Sequence, residues 1–310
     1  MKKICTLFLA AVVFFLSACG QPSTFVQESF KVGTWKTAQT IQPFFYQQFA
    51  GNAGVEVLPF TNPGDQKTAL LAGSLDMCGT TMVTAIAAAA ADEPIVIVAG
   101  MCNKCSALVV GRDSGIESES DLRGKKIAYV PGTMHHILLL NVLRQNNIDP
   151  EKDVELVRID FFDMGQALAK GDIDAFLSGE PYPSIAELEG YGKILSYPYF
   201  DESIGTINAA MITTKEQAQK NPERIRKLVD MHIKSTEYLT ENKDKWFESA
   251  AGFGTEMSVL QKSADNMELF YEIDDAFISR TKKLAEEMYE LQMIPKIPDV
   301  EALFDLRFIQ

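Results

Sequence analysis

The side chains with the most distinctive chemistry in this sequence are three cysteines and a pair of adjacent histidines: Cys78, Cys102, Cys105, His135 and His136. Thiolate and imidazole groups are the ligands that soft or borderline metal ions prefer. The Cys-X-X-Cys spacing of Cys102 and Cys105 suits chelation, because two thiols can meet at one ion across a turn. The five residues together suggest a site for a thiophilic metal or organometal species, bound as a ligand and not as a required cofactor.

Other interpretations of the same residues stay open. Cys102 and Cys105 can form a disulfide in an exported protein. Cys78 can be a small buried apolar residue, and His135 and His136 can be ordinary residues at the start of a helix. A thiol redox protein is disfavoured, because a strand and not a helix is predicted after Cys105, and a helix is what would lower the thiol pKa.

The elements that must position these residues alternate between strands and helices. Strands are predicted at 30–35, 55–60, 74–79, 94–99, 107–111, 126–130, 154–159, 173–177, 193–197 and 207–214. Helices are predicted at 41–49, 81–90, 118–122, 135–145, 164–170, 183–188, 216–252 and 277–293. A further helix is predicted to follow the turn at 62–65 and to end at residue 71. This alternation favours βαβ units and largely parallel sheets.

The order of these elements predicts two α/β lobes joined by two crossover strands, near 107–111 and 207–214. Lobe 1 is expected to comprise residues 29–109 and 207–310, and lobe 2 residues 110–206. A hinge at the crossovers permits the lobes to close. We expect a ligand to bind in the cleft between the lobes, where strands end and helices begin.

Length and composition exclude several classes of protein. The chain has 310 residues, of which 46% are hydrophobic and 23% charged, so it is neither disordered nor collagen-like. Its net charge of −13 is unsuited to nucleic-acid binding, which needs clustered cations. The sequence contains no nucleophile elbow, no His-Glu-X-X-His motif and no phosphate-binding P-loop, which disfavours a hydrolase.

The first residues are predicted to be a targeting segment. Lys2 and Lys3 precede an apolar run, residues 4–16, that is short for a membrane span and suits a signal sequence. The run leads into Leu-Ser-Ala-Cys-Gly, which resembles a bacterial lipobox. This predicts a signal peptide at 1–18, lipidation of Cys19 and a tether at 19–28, although a plain signal peptide stays open.

Several segments, in this order along the chain, resemble one known group of proteins. They are VGTW (32–35), GSLD (73–76), ALVV (107–110), RDSGI (112–116), DLRGKKIA (121–128), PGT (131–133) and GDIDAF (171–176). With the lipobox, they resemble the substrate-binding lipoproteins of ABC importers, in the nitrate, sulfonate, taurine and thiamine-pyrimidine group (NMT1/THI5-like, SsuA-like).

The resemblance implies a two-lobed periplasmic-binding-protein fold of type II and no enzymatic activity. It implies a small ligand, ABC permease subunits as partners, a monomer, and a location outside the cytoplasm with a lipid anchor in the membrane. Nucleic acid is not an expected partner.

The resemblance also implies where the ligand lies. It places Cys78, the Cys102–Cys105 pair and the two histidines at the borders of the cleft, where they could hold the metal. The alternative is an organic anion, such as an alkanesulfonate, nitrate or a thiamine-precursor pyrimidine, with the cysteine pair oxidised. The residues expected to hold it are Trp35, Thr80, Thr81 and Thr133. Glu180 and Tyr182, just past a strand end, are expected either to touch the ligand or to cap a helix.

Overall fold

The computed structural model describes residues 28–199 and 204–309, which form two β-sheets covered by helices. The strands are β1 (Ser29–Trp35), β2 (Gly54–Phe60), β3 (Met77–Thr81), β4 (Ile95–Lys104), β5 (Ser106–Gly111), β6 (Lys126–Tyr129), β7 (Glu155–Arg158), β8 (Ala175–Gly179), β9 (Gly192–Ser196), β10 (Ile207–Thr214) and β11 (Met267–Leu269). The first sheet has the order β11-β4-β10-β3-β1-β2 and the second β7-β6-β8-β5-β9. The predicted α/β fold with two lobes is confirmed.

Ten α-helices cover the sheets in the described part of the chain. They are α1 (Pro63–Leu71), α2 (Met82–Ala90), α3 (Met134–Gln145), α4 (Phe161–Lys170), α5 (Tyr182–Leu188), α6 (Lys215–Lys220), α7 (Pro222–Glu241), α8 (Lys243–Ala251), α9 (Met257–Ser263) and α10 (Asp275–Glu290). Helices α3 to α5 belong to lobe 2 and the others to lobe 1. Among the described residues, no helix is both long and apolar enough to cross a membrane.

The first crossover lies earlier than the sequence predicts. Strand β5 was expected to carry the chain between lobes, with residues 106–109 in lobe 1, but it pairs along its length with β8 and β9 of the second sheet. The chain changes sheets at Cys105, between β4 and β5. Lys104 and Cys105 both adopt the left-handed conformation, with φ of 64° and 76°, which turns the chain sharply at this point. The return strand β10 begins at Ile207.

Four helix predictions need correction. The predicted helix 216–252 is divided into α6, α7 and α8, because Pro222 lacks the amide hydrogen that a continuous helix requires and Asn242 has a non-helical backbone between α7 and α8. The predicted helices 41–49 and 118–122 are 3₁₀ helices, Gln42–Gln48 and Glu119–Leu122. Helix α10 ends at Glu290, before a left-handed Gln292, and not at 293.

One buried apolar cluster contains residues of both lobes. Ile137 and Leu138 of α3 belong to the same buried cluster as Ile86 of α2 and Leu284 of α10. Burial of apolar surface stabilises this contact by roughly 25 cal/mol per Å². Helices of the two lobes therefore share one buried apolar cluster.

Lobe 1 contains a histidine that is buried as a neutral group. His232 of α7 is fully buried, its Nδ1 lies 2.8 Å from the Tyr46 hydroxyl, and its Nε2 lies 2.8 Å from the carbonyl oxygen of Gly100. The carbonyl can only accept, so Nε2 donates and Nδ1 accepts from Tyr46. Burial lowers the pKa of His232 to about 4.

We expect this histidine to make the protein less stable in mild acid. Below pH 6.5 the unfolded chain binds a proton that folded His232 does not bind until about pH 4. Its contribution is therefore intact above pH 6.5 and is lost as the pH falls towards 4, by about 3 kcal/mol. Urea unfolding of the wild type and His232→Gln between pH 7.5 and 4.5 measures this. The variant should lose less stability over the range, and equal losses would contradict the assignment.

Candidate functional site

A cavity of about 880 Å³ lies between the two lobes. Lobe 1 contributes the segment after β1, the end of β2 and the residues that lead into α9. Lobe 2 contributes the start of α4 and the face of α5. The cavity thus has walls on both sides of the hinge, and its volume suits a small organic molecule.

Aromatic side chains form much of the wall. Trp35 ends β1 and lies against Gly79, where an added Cβ would be 3.1 Å from the indole. On the other lobe, Phe162 and Tyr182 meet edge to face with ring centroids 5.8 Å apart. Phe162 is 82% exposed, so its ring is available to a ligand that enters the cleft. Phe253 of lobe 1 adds a further ring.

The polar lining residues are mostly uncharged. Thr37, Thr61 and Ser258 bring hydroxyl groups to the cavity. Lys36 is exposed and forms no ion pair with any residue that the structure describes. Two carboxylates, Glu189 and Glu256, are exposed at the rim. An anionic group on a ligand would therefore find its charge partner at Lys36, which no described carboxylate pairs with.

Buried hydrogen bonds connect the floor of the cavity to the opposite lobe. Gln39 follows β1, and its Nε2 donates to the carbonyl oxygen of Glu180 at 2.9 Å. The Glu180 carboxylate accepts from Asn266 Nδ2 at 3.1 Å and from the backbone amide of Ser184 at 3.2 Å. Burial raises the pKa of Glu180, and these hydrogen bonds partly oppose that rise.

The two crossovers are tied to each other at the same place. Tyr199, on the return crossover, accepts from the backbone amide of Ser106, the first residue of β5, and its oxygen lies 2.8 Å from Asn266 Oδ1. Asn266 Nδ2 also contacts the Ser106 carbonyl at 3.2 Å. We call this group, Gln39, Ser106, Glu180, Tyr199 and Asn266, the hinge network. It holds lobe 1, lobe 2 and both crossovers in one hydrogen-bonded unit.

The three cysteines do not meet in the cleft. Cys78 lies in the apolar cluster under α2, whereas Cys102 lies within β4, which extends beyond the predicted 94–99, in a second cluster. Cys105 is at the crossover, where its sulfur accepts from Asn208 Nδ2 at 2.8 Å. Burial raises the pKa of all three thiols, that of Cys105 to about 12. Protonated thiols are poor metal ligands.

The two histidines also have separate environments. His135 Nδ1 lies 2.9 Å from Ser106 Oγ, and burial lowers its pKa to about 4. His136 packs against Tyr129 in a tilted arrangement, with ring centroids 4.7 Å apart and an interplanar angle of 36°. Thr133 caps α3, because its hydroxyl accepts from the His136 amide at 3.2 Å. His135 and Cys105 both lie close to Gly179, at 3.0 and 3.5 Å from the position that a Cβ atom would take there. These two side chains are therefore neighbours.

These positions do not support the predicted metal site. In the described part of the chain, no three histidine, cysteine, aspartate or glutamate side chains come together as a metal-binding group. The predicted alternative of a Cys102–Cys105 disulfide is not formed either, since the three described cysteines are free thiols. Residues that are close together in a strand can point to opposite faces of its sheet. The spacing of the cysteines in the sequence therefore did not reveal that their side chains lie in different environments.

We expect the three buried thiols to be unreactive while the protein is folded. Cys78, Cys102 and Cys105 should react with a thiol reagent such as dithionitrobenzoate only after denaturant is added, because thiolate and access are both lacking. Cadmium should give no stoichiometric rise in melting temperature. Rapid reaction of two or more of these thiols in the native protein would contradict this arrangement.

The other predicted ligand residues divide into two groups. Trp35 and Tyr182 line the cavity, whereas Thr80 is fully buried with no described partner for its hydroxyl and Thr81 caps α2. Glu180 lies beneath the cavity and accepts from an amide of α5. Sequence reasoning missed Lys36, Gln39 and Phe162, of which Lys36 directly follows the VGTW segment and Gln39 lies four residues beyond it.

Comparisons with known proteins agree with this architecture. The chain is 33% identical over 129 residues to a putative aliphatic sulfonates-binding protein of Escherichia coli (41% of this chain, 40% of the relative). It is 27% identical over 224 residues to the yeast 4-amino-5-hydroxymethyl-2-methylpyrimidine phosphate synthase THI13 (66% of this chain, 65% of the relative). Both alignments therefore span less than two thirds of the relatives' own lengths.

The fold matches a solved structure and the sequence matches a family model. The periplasmic aliphatic sulphonate binding protein SsuA from E. coli superposes with a TM-score of 0.78 at 22% identity, covering 88% of this chain and 91% of that one. Residues 51–245 match the model of the NMT1/THI5-like family. The chain belongs to the NMT1/THI5-like family.

Proposed function

We propose that this protein is the extracytoplasmic solute-binding component of an ABC importer. It captures a small ligand in the cleft between the lobes, closes on it, and delivers it to the permease subunits. The observation that supports this most strongly is the cavity of about 880 Å³, because it is lined from both lobes beside two hinge crossovers. A ligand that touches both lobes favours the closed state.

The lining favours an organic ligand over a metal ion. Trp35, Phe162 and Tyr182 offer apolar and π surfaces, and Lys36 with nearby hydroxyls offers a place for an anionic group. The names of the relatives point to two such ligand classes, aliphatic sulfonates and aminopyrimidines. An organic anion or a pyrimidine is therefore the proposed ligand class.

The cleft also favours binding over catalysis. None of the described residues that line it is a cysteine or a histidine, the groups most often used as nucleophile or general base. Although a yeast relative is named as a synthase, the sulfonate-binding relatives are named for binding alone. We expect no turnover of any bound ligand above background.

The lipid anchor remains part of the proposal. Cys19 and the predicted signal peptide lie outside the described residues, so the argument rests on the lipobox-like sequence. The tether would keep the binding domain next to its permease at the outer face of the cytoplasmic membrane. Mass spectrometry of the protein from a bacterial membrane fraction tests this, and an N-terminus other than acylated Cys19 would overturn it.

Thermal shift and calorimetry test the binding function. Ethanesulfonate, benzenesulfonate, nitrate and 4-amino-5-hydroxymethyl-2-methylpyrimidine are suitable probes, and a true ligand should raise the melting temperature as binding to the folded state predicts. Phe162→Ala should weaken that binding, and Tyr289→Ala, which removes an exposed ring away from the cleft, should not. Sustained chemical turnover of a probe, or loss of binding in the Tyr289 variant alone, would contradict the proposal.

A further inference from the structure

We propose that Asn208 is a positioning residue for ligand capture: it holds the first crossover in a strained backbone conformation and so fixes the arrangement of the two lobes around the cavity. This inference rests on the proposed function, because it concerns how tightly the cleft binds its ligand. Asn208 is not among the described residues that line the cavity, so its effect on binding must pass through the crossover.

The strained element is the pair Lys104 and Cys105, where the chain passes from the first sheet to the second. Their φ angles are 64° and 76°. In the described part of the chain, no other two consecutive residues besides glycine both have positive φ. This conformation is unfavourable for residues that have a Cβ atom, so it persists only where surrounding groups hold it.

Every backbone polar group of this strained pair has a partner far away in the chain. Its two amides donate to the carbonyl oxygens of Thr206 and Asn266, at 2.7 and 2.8 Å. Its two carbonyl oxygens accept from Asn208 Nδ2 at 2.6 Å and from the Glu180 amide at 2.7 Å. Of these four partner groups, the one that belongs to a side chain is that of Asn208. It is therefore the one that a substitution can remove.

A β-bulge aims the Asn208 side chain at the crossover. In the pairing of β10 with β4, the residues on either side of Asn208 face two consecutive residues of β4, which leaves Asn208 without an opposite residue. Bulges change the direction of a side chain in this way. Asn208 Nδ2 donates both to the Lys104 carbonyl and to the Cys105 sulfur, at 2.6 and 2.8 Å. One amide nitrogen thus contacts both residues of the strained pair.

The strained pair is also connected to the cavity. The Cys105 sulfur has the side chain of Gln39 as a second hydrogen-bond partner, and Gln39 lines the cavity. The sheet of lobe 2 begins directly after Cys105, with β5. A change of the backbone angles at this point would therefore rotate lobe 2 relative to lobe 1, and the two walls of the cavity would no longer face each other in the same way.

Loss of the Asn208 side chain is expected to lower the fraction of molecules whose cleft is ready to bind. Without its two hydrogen bonds, the strained pair can leave the left-handed conformation and the lobes can adopt other arrangements. The apparent Kd rises in proportion as the binding-competent fraction falls. We expect Asn208→Ala to bind the ligand at least about fivefold more weakly, although no contact with the ligand is removed.

Titration calorimetry with the tightest-binding probe tests this in the mature protein. Thr213→Val is the matched control, because it removes a buried hydrogen bond from the same strand that stays within lobe 1, from Thr213 Oγ1 to the Asp76 carbonyl at 2.7 Å. Both variants should lose stability in urea, but only Asn208→Ala should lose affinity. Unchanged affinity in folded Asn208→Ala, or an equal loss in Thr213→Val, would overturn the positioning role.

Substitutions of Lys104 separate the backbone strain from the side chain of Asn208. Lys104 is partly buried and does not line the cavity, so both substitutions should fold. Lys104→Val should weaken binding, because a β-branched residue resists the left-handed conformation, whereas Lys104→Gly should bind like the wild type. Lys104→Gly should also restore part of the affinity of Asn208→Ala. Equal affinity of the valine and glycine variants would overturn the proposal, even if Asn208→Ala does not fold.

The distance between the lobes gives a reading that needs no ligand. Spin labels on Asp65→Cys and Asp163→Cys, one on each lobe, should show a broader distance distribution in Lys104→Val and Asn208→Ala than in the wild type. An unchanged distribution in both variants would overturn the positioning role whether or not a probe binds. The broader distribution, together with a wild type that binds no probe, would support the positioning role and count against the proposed function alone.

Discussion

Replacing Asn266 by alanine is expected to lower the free energy of unfolding by about 3 kcal/mol, because it removes the centre of the hinge network. The amide of Asn266 contacts Glu180 Oε1, the Ser106 carbonyl and the Tyr199 hydroxyl, at 3.1, 3.2 and 2.8 Å. Alanine would leave these buried groups without that partner. The Glu180 carboxylate contributes most of the loss, because among the described residues it keeps only the Ser184 amide as a partner, and charged groups are the costliest to bury with too few hydrogen bonds.

Urea unfolding of the variant measures this loss, with Glu241→Ala as the matched control. Glu241 is exposed at the end of α7, so its truncation should change the free energy of unfolding by less than about 0.5 kcal/mol. Asn266→Asp gives a second reading: it sets a carboxylate beside Glu180, so its destabilisation should be larger at pH 8 than at pH 5. A loss below about 1 kcal/mol for Asn266→Ala would show that the network contributes little to stability.

The second large effect is expected on ligand affinity, from Trp35→Ala. The indole lies at the end of β1 in the cavity wall, where it can cover the apolar body of a ligand. Loss of an aromatic contact of this size should cost about 2 kcal/mol, or roughly thirtyfold in Kd. Stability should change less than affinity, because Trp35 is only partly buried in the ligand-free protein.

Titration calorimetry with the tightest-binding probe compares Trp35→Ala with the wild type. Trp246→Phe is an informative companion, because Trp246 lies in the core of lobe 1 and donates from Nε1 to the Ala38 carbonyl at 2.7 Å. That change should reduce stability more than affinity. Unchanged affinity in Trp35→Ala would mean that the ligand does not lie against β1.

The sequence was sufficient for the architecture because the alternation of strands and helices is a local signal. The buried strand β4 and the Ala-rich helix α2 were both visible from composition, and each lies within a few residues of its prediction. The crossover was misplaced because β4 continues through Cys102 to Lys104. Pairing with β10 and β11 supports this extension, and neither partner is near in sequence.

The metal prediction was not supported because cysteine and histidine types indicate possible chemistry, not position. Cys78 and Cys102 are packed in separate apolar clusters, so burial raises their pKa values and keeps them protonated. The His136 ring, at the start of α3, packs against Tyr129. These environments arise from contacts between elements far apart in the chain, which spacing alone does not report.

The candidate site was predictable only where it touches strand ends. Trp35 ends a predicted strand, Tyr182 lies five residues beyond the strand predicted at 173–177, and both line the cavity. Gln39 could not be identified from sequence, because its role depends on Glu180, which is 141 residues away. A polar residue in a turn is ordinary until the fold buries it against the opposite lobe.

The most direct test of the account is the distance between the lobes with and without ligand. Spin labels on Asp65→Cys in α1 and Asp163→Cys in α4 report this distance by double electron–electron resonance, since both sites are exposed and neither lines the cavity. The native thiols are buried and should remain unlabelled. We expect the distance to shorten when the tightest-binding probe saturates the protein, and the shorter distance to be populated by a clearly smaller fraction of molecules at the same probe concentration in Trp35→Ala. A distance that does not change in the saturated wild type would contradict capture of a ligand by closure of the cleft.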